Sequence, residues 1–196
     1  MKKVLFVDCC IRRGESRSKE LATHFLSELE KTGEYELETL CLMDENLSHF
    51  ADGFFQQRQE LLEADDLQHP RFRYAHQFAA ADKIVIAAPF WDLSFPALLK
   101  VYIENLCVDG ITFHSGAEGL QGLCKADHLV YLTTRGGIYK GSDMEMGSAY
   151  LEKMCVFFGI DRYDCIAAEG LDMGIAPVEE LLGQAKAEAS AAVQKF

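Results

Sequence analysis

The sequence predicts an α/β protein: a three-layer αβα sandwich with helices on both faces of a five-stranded parallel sheet. Three observations carry this. Val4–Val7, Ile84–Ala88 and Leu129–Thr133 are short, almost wholly apolar runs, the pattern of strands covered on both faces. The longer segments between them place apolar residues at helical spacing. Strand and helix also alternate along the chain, and crossovers that contain a helix connect parallel strands.

Taken in order, Val4–Val7 is the first strand. Helical periodicity follows through Leu21, Phe25, Leu26 and Leu29 and stops at Thr32-Gly33, where a glycine suits a helix C-terminus. Tyr35–Leu42 alternates more strictly, through Tyr35, Leu37, Thr39 and Cys41, as a strand with less cover does. Residues 43–53 read as loop, and 54–80 as helix with a break near His69-Pro70. Ile84–Ala88 is the next strand, ended by Pro89, and Pro96–Cys107 is a helix with proline in its first turn. Residues 108–126 hold four glycines and little periodicity. Leu129–Thr133 is a buried strand, Tyr150–Phe158 a helix, Tyr163–Ala168 a strand and Val178–Phe196 the last helix. Five strands in this succession fit the order 2-1-3-4-5, with Tyr35–Leu42 at an edge. No linker, repeat or low-complexity tract interrupts the chain, so residues 1–196 read as one domain.

Charge narrows the possible partners. The chain carries 19 Lys+Arg against 31 Asp+Glu, a formal charge of −12. An acidic surface repels phosphate backbones and anionic lipid, which argues against nucleic acid and membrane partners. The seven cysteines are odd in number and form no CxxC pair, so neither a disulfide framework nor a zinc ribbon is expected. A reducing compartment, the cytoplasm, is the simpler expectation. The apolar start is interrupted by Asp8, well short of a leader's apolar stretch. No apolar run approaches the ~20 residues of a membrane span. The six histidines form no HxxxH or HExxH pair, so no metal site is expected.

In a sheet of this order ligands bind beyond the carboxyl ends of the strands. Three loops fall there. In the first, Arg12, Arg13, Arg17 and Lys19 outnumber Glu15 by three charges at the start of a helix, with Gly14, Ser16 and Ser18 among them. That composition suits a phosphate cradle at a helix N-terminus, although a capping serine with solvated basic neighbours fits as well. It is neither GxxxxGK[ST] nor GxGxxG. The second loop, Pro89-Phe90-Trp91-Asp92-Leu93, offers aromatic surface for a planar ligand, or for a core cap or subunit contact. The third, Thr134-Arg135-Gly136-Gly137-Ile138-Tyr139, allows backbone N–H groups to approach a ligand edge, or is an ordinary turn. Together they point to a phosphorylated planar cofactor, for which FMN is the economical choice.

The ordered set formed by Lys3–Val7, Ser16-Arg17-Ser18, Ala87–Trp91 through Leu99-Lys100, Gly110–Phe113 and Thr134–Gly137 resembles the FMN-dependent NADH-azoreductase and NAD(P)H:quinone oxidoreductase family. The resemblance implies a homodimeric flavodoxin-like fold with FMN at the dimer interface. It implies NAD(P)H as donor, quinones, azo compounds or similar small acceptors, and a ping-pong exchange of two electrons. By the same resemblance Ser16, Ser18 and the Arg17 backbone hold the phosphate. Cys10 stands where azoreductases usually have a serine, with Arg12 or Arg13 as compensation. Phe90 to Leu93, following Pro89, line the isoalloxazine, and Thr134, Arg135, Gly136 and Gly137 border it. Phe113 covers the substrate side, from its own or a partner subunit; His114 and Tyr139 are candidate proton donors near the acceptor, or packing and surface residues. Asp92 stands where the family usually has asparagine, so a carboxylate is expected beside the flavin pyrimidine, the alternative being that it points to solvent or caps the helix beginning near Phe95. The rival reading is a flavodoxin-type electron carrier without its own NAD(P)H activity. The acidic charge fits it, but the hydroxyl-rich phosphate loop of those carriers is absent.

Overall fold

The computed structural model describes residues 1–196, the side chain of Asp52 excepted. Its strands are β1 (Lys2–Asp8), β2 (Tyr35–Cys41), β3 (Lys83–Ala87), β4 (Phe113–Gly116), β5 (Gly119–Gly122), β6 (His128–Thr134) and β7 (Arg162–Ala168). The helices are α1 (Arg17–Thr32), α2 (Asp52–Glu63), α3 (Arg73–Ala80), α4 (Ala97–Leu106), α5 (Met146–Phe158) and α6 (Val178–Val193). Five strands form a parallel sheet ordered β2-β1-β3-β6-β7. This is the expected order once the separate β4–β5 hairpin is set aside.

The two-residue period of a strand sends alternate side chains to opposite faces, and both faces are packed. Leu5, Val7, Ile84, Ile86, Leu129 and Tyr131 join Phe78, Leu99, Tyr102 and Phe158 on one side. Val4, Phe6, Val85, Val130 and Leu132 join Leu21, Phe25, Leu29, Leu182 and Ala185 on the other. Each such aliphatic or phenyl group contributes roughly 1.5–3 kcal/mol on burial. β3 is buried throughout, whereas β2 alternates with exposed positions, as its edge place requires.

The elements differ from expectation in four places. Residues 108–126 contain the antiparallel hairpin β4–β5. Its residues are mostly exposed, so no burial period marks it in the sequence. It is fixed by packing on the end of α5, where Phe113 lies 4.6 Å from Phe157. A Cβ on Gly122 would come 2.0 Å from the Gly159 nitrogen, so this crossing requires glycine. The 54–80 segment breaks before Pro70, as expected, into α2, a short 3-10 turn at Pro70–Phe72 and α3, but α2 begins at Asp52, inside the expected loop. Pro96 is the cap of α4 rather than part of its first turn. α5 starts at Met146, before Tyr150, because Glu145 caps it by accepting the Ser148 N–H at 2.9 Å.

Candidate active site

The carboxyl ends of β1, β3 and β6 open onto a cleft of about 200 Å³. Arg12, Ser16 and Arg17 line it from the loop after β1, Pro89, Phe90 and Trp91 from that after β3, and Thr134, Arg135 and Gly136 from that after β6. A fourth segment that sequence reasoning missed, Leu171 and Asp172 after β7, completes the wall.

The first loop is anchored by Asp8, which is buried at the end of β1 and accepts from the Cys10 N–H at 3.0 Å and the Lys19 ammonium at 2.5 Å. Its cations are all paired within the protein. Arg12 meets Glu15 at 3.4 Å, Arg13 meets Asp44 at 2.7 Å, and Arg17 meets Asp172 at 2.8 Å. The positive excess is therefore balanced by carboxylates distant in sequence, and the loop needs no bound anion to exist. A ligand-facing feature is left at the start of α1. Ser16 caps the helix by accepting the Lys19 N–H at 3.3 Å. Among the described residues, the N–H groups of Arg17 and Ser18 have no acceptor. Such orphan donors at the positive end of a helix dipole attract anions.

Ser18 and Cys10 stand behind the lining. The Ser18 hydroxyl is buried and lies 2.7 Å from the Thr134 hydroxyl, tying α1 to the end of β6. Cys10 is buried with its thiol 3.6 Å from the Ala87 carbonyl. Burial first, then Asp8, pushes the Cys9 thiol up to about 12 and the Cys10 thiol also upward, so neither is a thiolate at neutral pH.

Phe90 is set by its N–H donating to the Thr134 carbonyl at 3.1 Å, and Tyr139 packs on its ring at 4.5 Å. Trp91 and Ser94 exchange backbone hydrogen bonds of 3.0 and 2.8 Å around a tight turn. Asp92 and Leu93 occupy its middle with φ of 50° and 68°, a left-handed pair that glycine or asparagine adopts more cheaply. At about 1–3 kcal/mol per such residue, the turn needs support, and the Met146 N–H supplies it by donating to the Leu93 carbonyl at 3.0 Å. The Asp92 side chain is exposed and does not cap α4.

Gly136 packs so closely on the neighbouring loop that a Cβ would come 2.5 Å from Asp172 Oδ2. Arg135, expected beside a ligand ring, has its guanidinium buried between Glu169 at 2.9 Å and Glu145 at 3.0 Å, and its Nε finds no acceptor among the described residues. Gly137 and Tyr139 are not among the lining residues; Tyr139 reaches the cleft only through its contact with the Phe90 ring. Glu145, Glu169 and Asp172 carried only a weak sequence signal: acids just before a helix or just past a strand.

Phe113 and His114 are not in this cleft. Their hairpin packs on the C-terminal end of α5, whereas the N-terminal end of that helix meets Arg135. Thirteen residues at 1.5 Å each separate the two ends by about 20 Å. His114 Nδ1 lies 3.0 Å from Asp109 on the exposed hairpin.

Comparison with known proteins agrees with this geometry. A family described as having a flavodoxin-like fold matches residues 2–193. An FMN-dependent NADH:quinone oxidoreductase of Clostridium perfringens is 39% identical over 210 aligned residues, covering all of both chains. One from Lachnoclostridium phytofermentans is 35% identical, again across both whole chains. The crystal structure of an azoreductase from Bacillus anthracis superposes over the whole of both chains with a TM-score of 0.89 at 28% identity. On sequence, topology and the placement of its cleft, the chain belongs to the flavodoxin-like family that contains the FMN-dependent NADH:quinone oxidoreductases.

Proposed function

We propose that this chain is an FMN-dependent oxidoreductase that takes electrons from NADH or NADPH and delivers two of them to a quinone, an azo compound or a similar small acceptor. The observation that carries the proposal is the composition of one cleft. Unsatisfied N–H groups and two arginines stand at one end, and Phe90 and Trp91 stand along it. These residues fit a phosphorylated planar group: the start of α1 with Ser16, Arg12 and Arg17 would hold the phosphate, and the aromatics with the Gly136 backbone would border the ring. FMN held there would supply the hydride chemistry between nicotinamide and acceptor. The chain's own part would be to admit both reactants in turn at one place beside the exposed Trp91, the ground for expecting ping-pong exchange. Tyr139, packed on Phe90, is a candidate source of a proton for the reduced acceptor. Ser18 and Cys10 would support the phosphate end from behind.

A single-domain protomer in a cytoplasmic homodimer completes the proposal. Seven free thiols suit a reducing compartment, and among the described residues no helix is long and apolar enough to cross a membrane. Phe113 and His114 stand too far from their own cleft to serve it, so a substrate role for them requires a second copy. Exposed Trp91, Ile138, Met144 and Met146 offer apolar surface for such a contact.

The test is the visible spectrum of the purified protein followed by steady-state kinetics with NADH and a quinone. Flavin absorption bands that bleach with NADH alone, with parallel double-reciprocal lines, are expected. Flavin that NADH does not bleach favours the electron-carrier reading, and protein that cannot be loaded with FMN overturns both.

A further inference from the structure

We infer that Arg135 is a positioning residue, and that the cluster it forms with Glu145 and Glu169 builds the ring-end wall of the cleft without lending charge to a ligand. The inference rests on the proposed function only for what the wall faces.

Arg135 Nη1 donates to Glu169 Oε1 at 2.9 Å, and Nη2 lies 3.0 Å from Glu145 Oε1. These acids come from the turn after β7 and from the cap of α5, so one side chain ties three separate segments. Each acid has a second task. Glu169 Oε1 also accepts the N–H groups of Tyr139 at 2.8 Å and Lys140 at 2.9 Å, which closes the loop after Gly137. Glu145 caps α5, whose first N–H supports the left-handed Asp92-Leu93 turn. The guanidinium carbon lies 5.3 Å from the centroid of the Phe90 ring, and Tyr139 packs on that ring. The aromatic wall, the glycine loop and the strained turn thus share one buried support.

The charges exclude a direct role with an anionic ligand. One guanidinium faces two carboxylates, and the side chains of Arg135, Glu145 and Glu169 are 3%, 10% and 14% exposed. The trio is formally negative, so it repels a phosphate. Removing the arginine leaves two largely buried carboxylates without a counter-ion, the costly way to break such a cluster. Lysine is a poor replacement because one ammonium lacks the planar two-armed reach of the guanidinium.

The test uses the full chain as Arg135→Gln, Arg135→Lys and Glu169→Gln, the last retaining an acceptor oxygen for Tyr139 and Lys140. Amide exchange at Tyr139 and Lys140 is measured in flavin-free protein, and each protein is then titrated with FMN and with riboflavin. Both arginine variants are expected to lose at least tenfold protection at the two amides. Arg135→Gln is expected to weaken FMN and riboflavin by the same factor, at least tenfold, with Glu169→Gln shifting both in the same direction by less. Loss confined to FMN, wild-type behaviour of Arg135→Lys, or unchanged exchange overturns the inference. Should Arg135→Gln not fold, the other two variants carry the same readouts. Wild-type protein that binds neither flavin refutes the proposed function instead, and the exchange measurement then decides the role of Arg135.

Discussion

Asp172 holds the cation best placed to meet a phosphate, so removing its charge should tighten FMN binding. Arg17 lines the cleft, yet its guanidinium is engaged with Asp172 at 2.8 Å. A phosphate ester must share that guanidinium with a carboxylate of like sign. The two side chains are 40% and 69% exposed, so the pair is a surface one, worth about 0.2–1 kcal/mol. Asp172→Asn keeps shape and leaves the Asp172 N–H free to donate to the Gly136 carbonyl, a bond of 3.0 Å. The freed arginine should then strengthen FMN binding by up to about fivefold, taking 1.4 kcal/mol as tenfold. Riboflavin, which lacks the phosphate, should bind as before. The difference should shrink in ~0.5 M salt, because exposed charges are screened over a few ångströms there. Fluorescence-quenching titrations of flavin-free wild type and variant with both ligands, at low and high salt, measure all of this. Weaker FMN binding by the variant refutes the reasoning, since Asp172 would then be holding Arg17 ready for the phosphate. An equal change for both ligands refutes it differently, by locating the effect at the ring end through Gly136.

Other expectations concern the sheet and its ends. Phe25 is fully buried on the face covered by α1 and α6, so Phe25→Ala should cost about 3–5 kcal/mol and lower Tm by roughly 10 °C, measured by thermal melting; a shift of a degree or two would mean that the core refills the space. The Asp82 carboxyl is held below the usual carboxylate range first by Lys125, at 2.6 Å, and next by the Lys3 N–H, at 2.8 Å. Its folded pKa is depressed, so its contribution to stability is present above the unfolded carboxylate value near pH 4 and is lost as pH falls through the folded one. Asp82→Asn should flatten the fall in stability below about pH 4 in urea titrations, and an unchanged acid limb would discount the pair. Asp92→Asn, which removes a charge on the exposed turn beside Trp91, should raise the midpoint potential of bound FMN; an unchanged or lower midpoint places the carboxylate away from the cofactor.

The fold was largely legible because burial on two faces leaves a mark in composition. β1, β3 and β6 each carry an unbroken apolar run, Val4–Val7, Ile84–Ala87 and Leu129–Leu132, and α1 repeats its core residues at helical spacing up to Gly33, whose φ of 68° ends the helix. The hairpin β4–β5 was not legible because it is mostly exposed and is specified by contact with α5, a partner remote in sequence. The onset of α5 was missed for a related reason: its cap is Glu145, a residue that also answers to Arg135, and neither duty produces a local pattern.

Charge shows most sharply where reading along the chain stops. Arg12, Arg13, Arg17 and Lys19 look like an unbalanced cluster because their neighbours in sequence supply only Glu15. The fold brings Asp8, Asp44 and Asp172 to three of them, from the end of β1, the turn after β2 and the loop after β7. A local excess of charge therefore predicts that opposite charge will be near, without saying whether protein or ligand carries it. Arg135 is the converse case. Beside two glycines it read as a group facing a ligand, and the fold instead gives it two acids and buries all three. What separates the two kinds of arginine is access to the cleft after internal pairing. Arg17 is partly exposed and shares one acid, so an incoming anion can compete for it. Arg135 is enclosed and outnumbered, so its effect on a ligand passes through Phe90 and the loop that its acids hold.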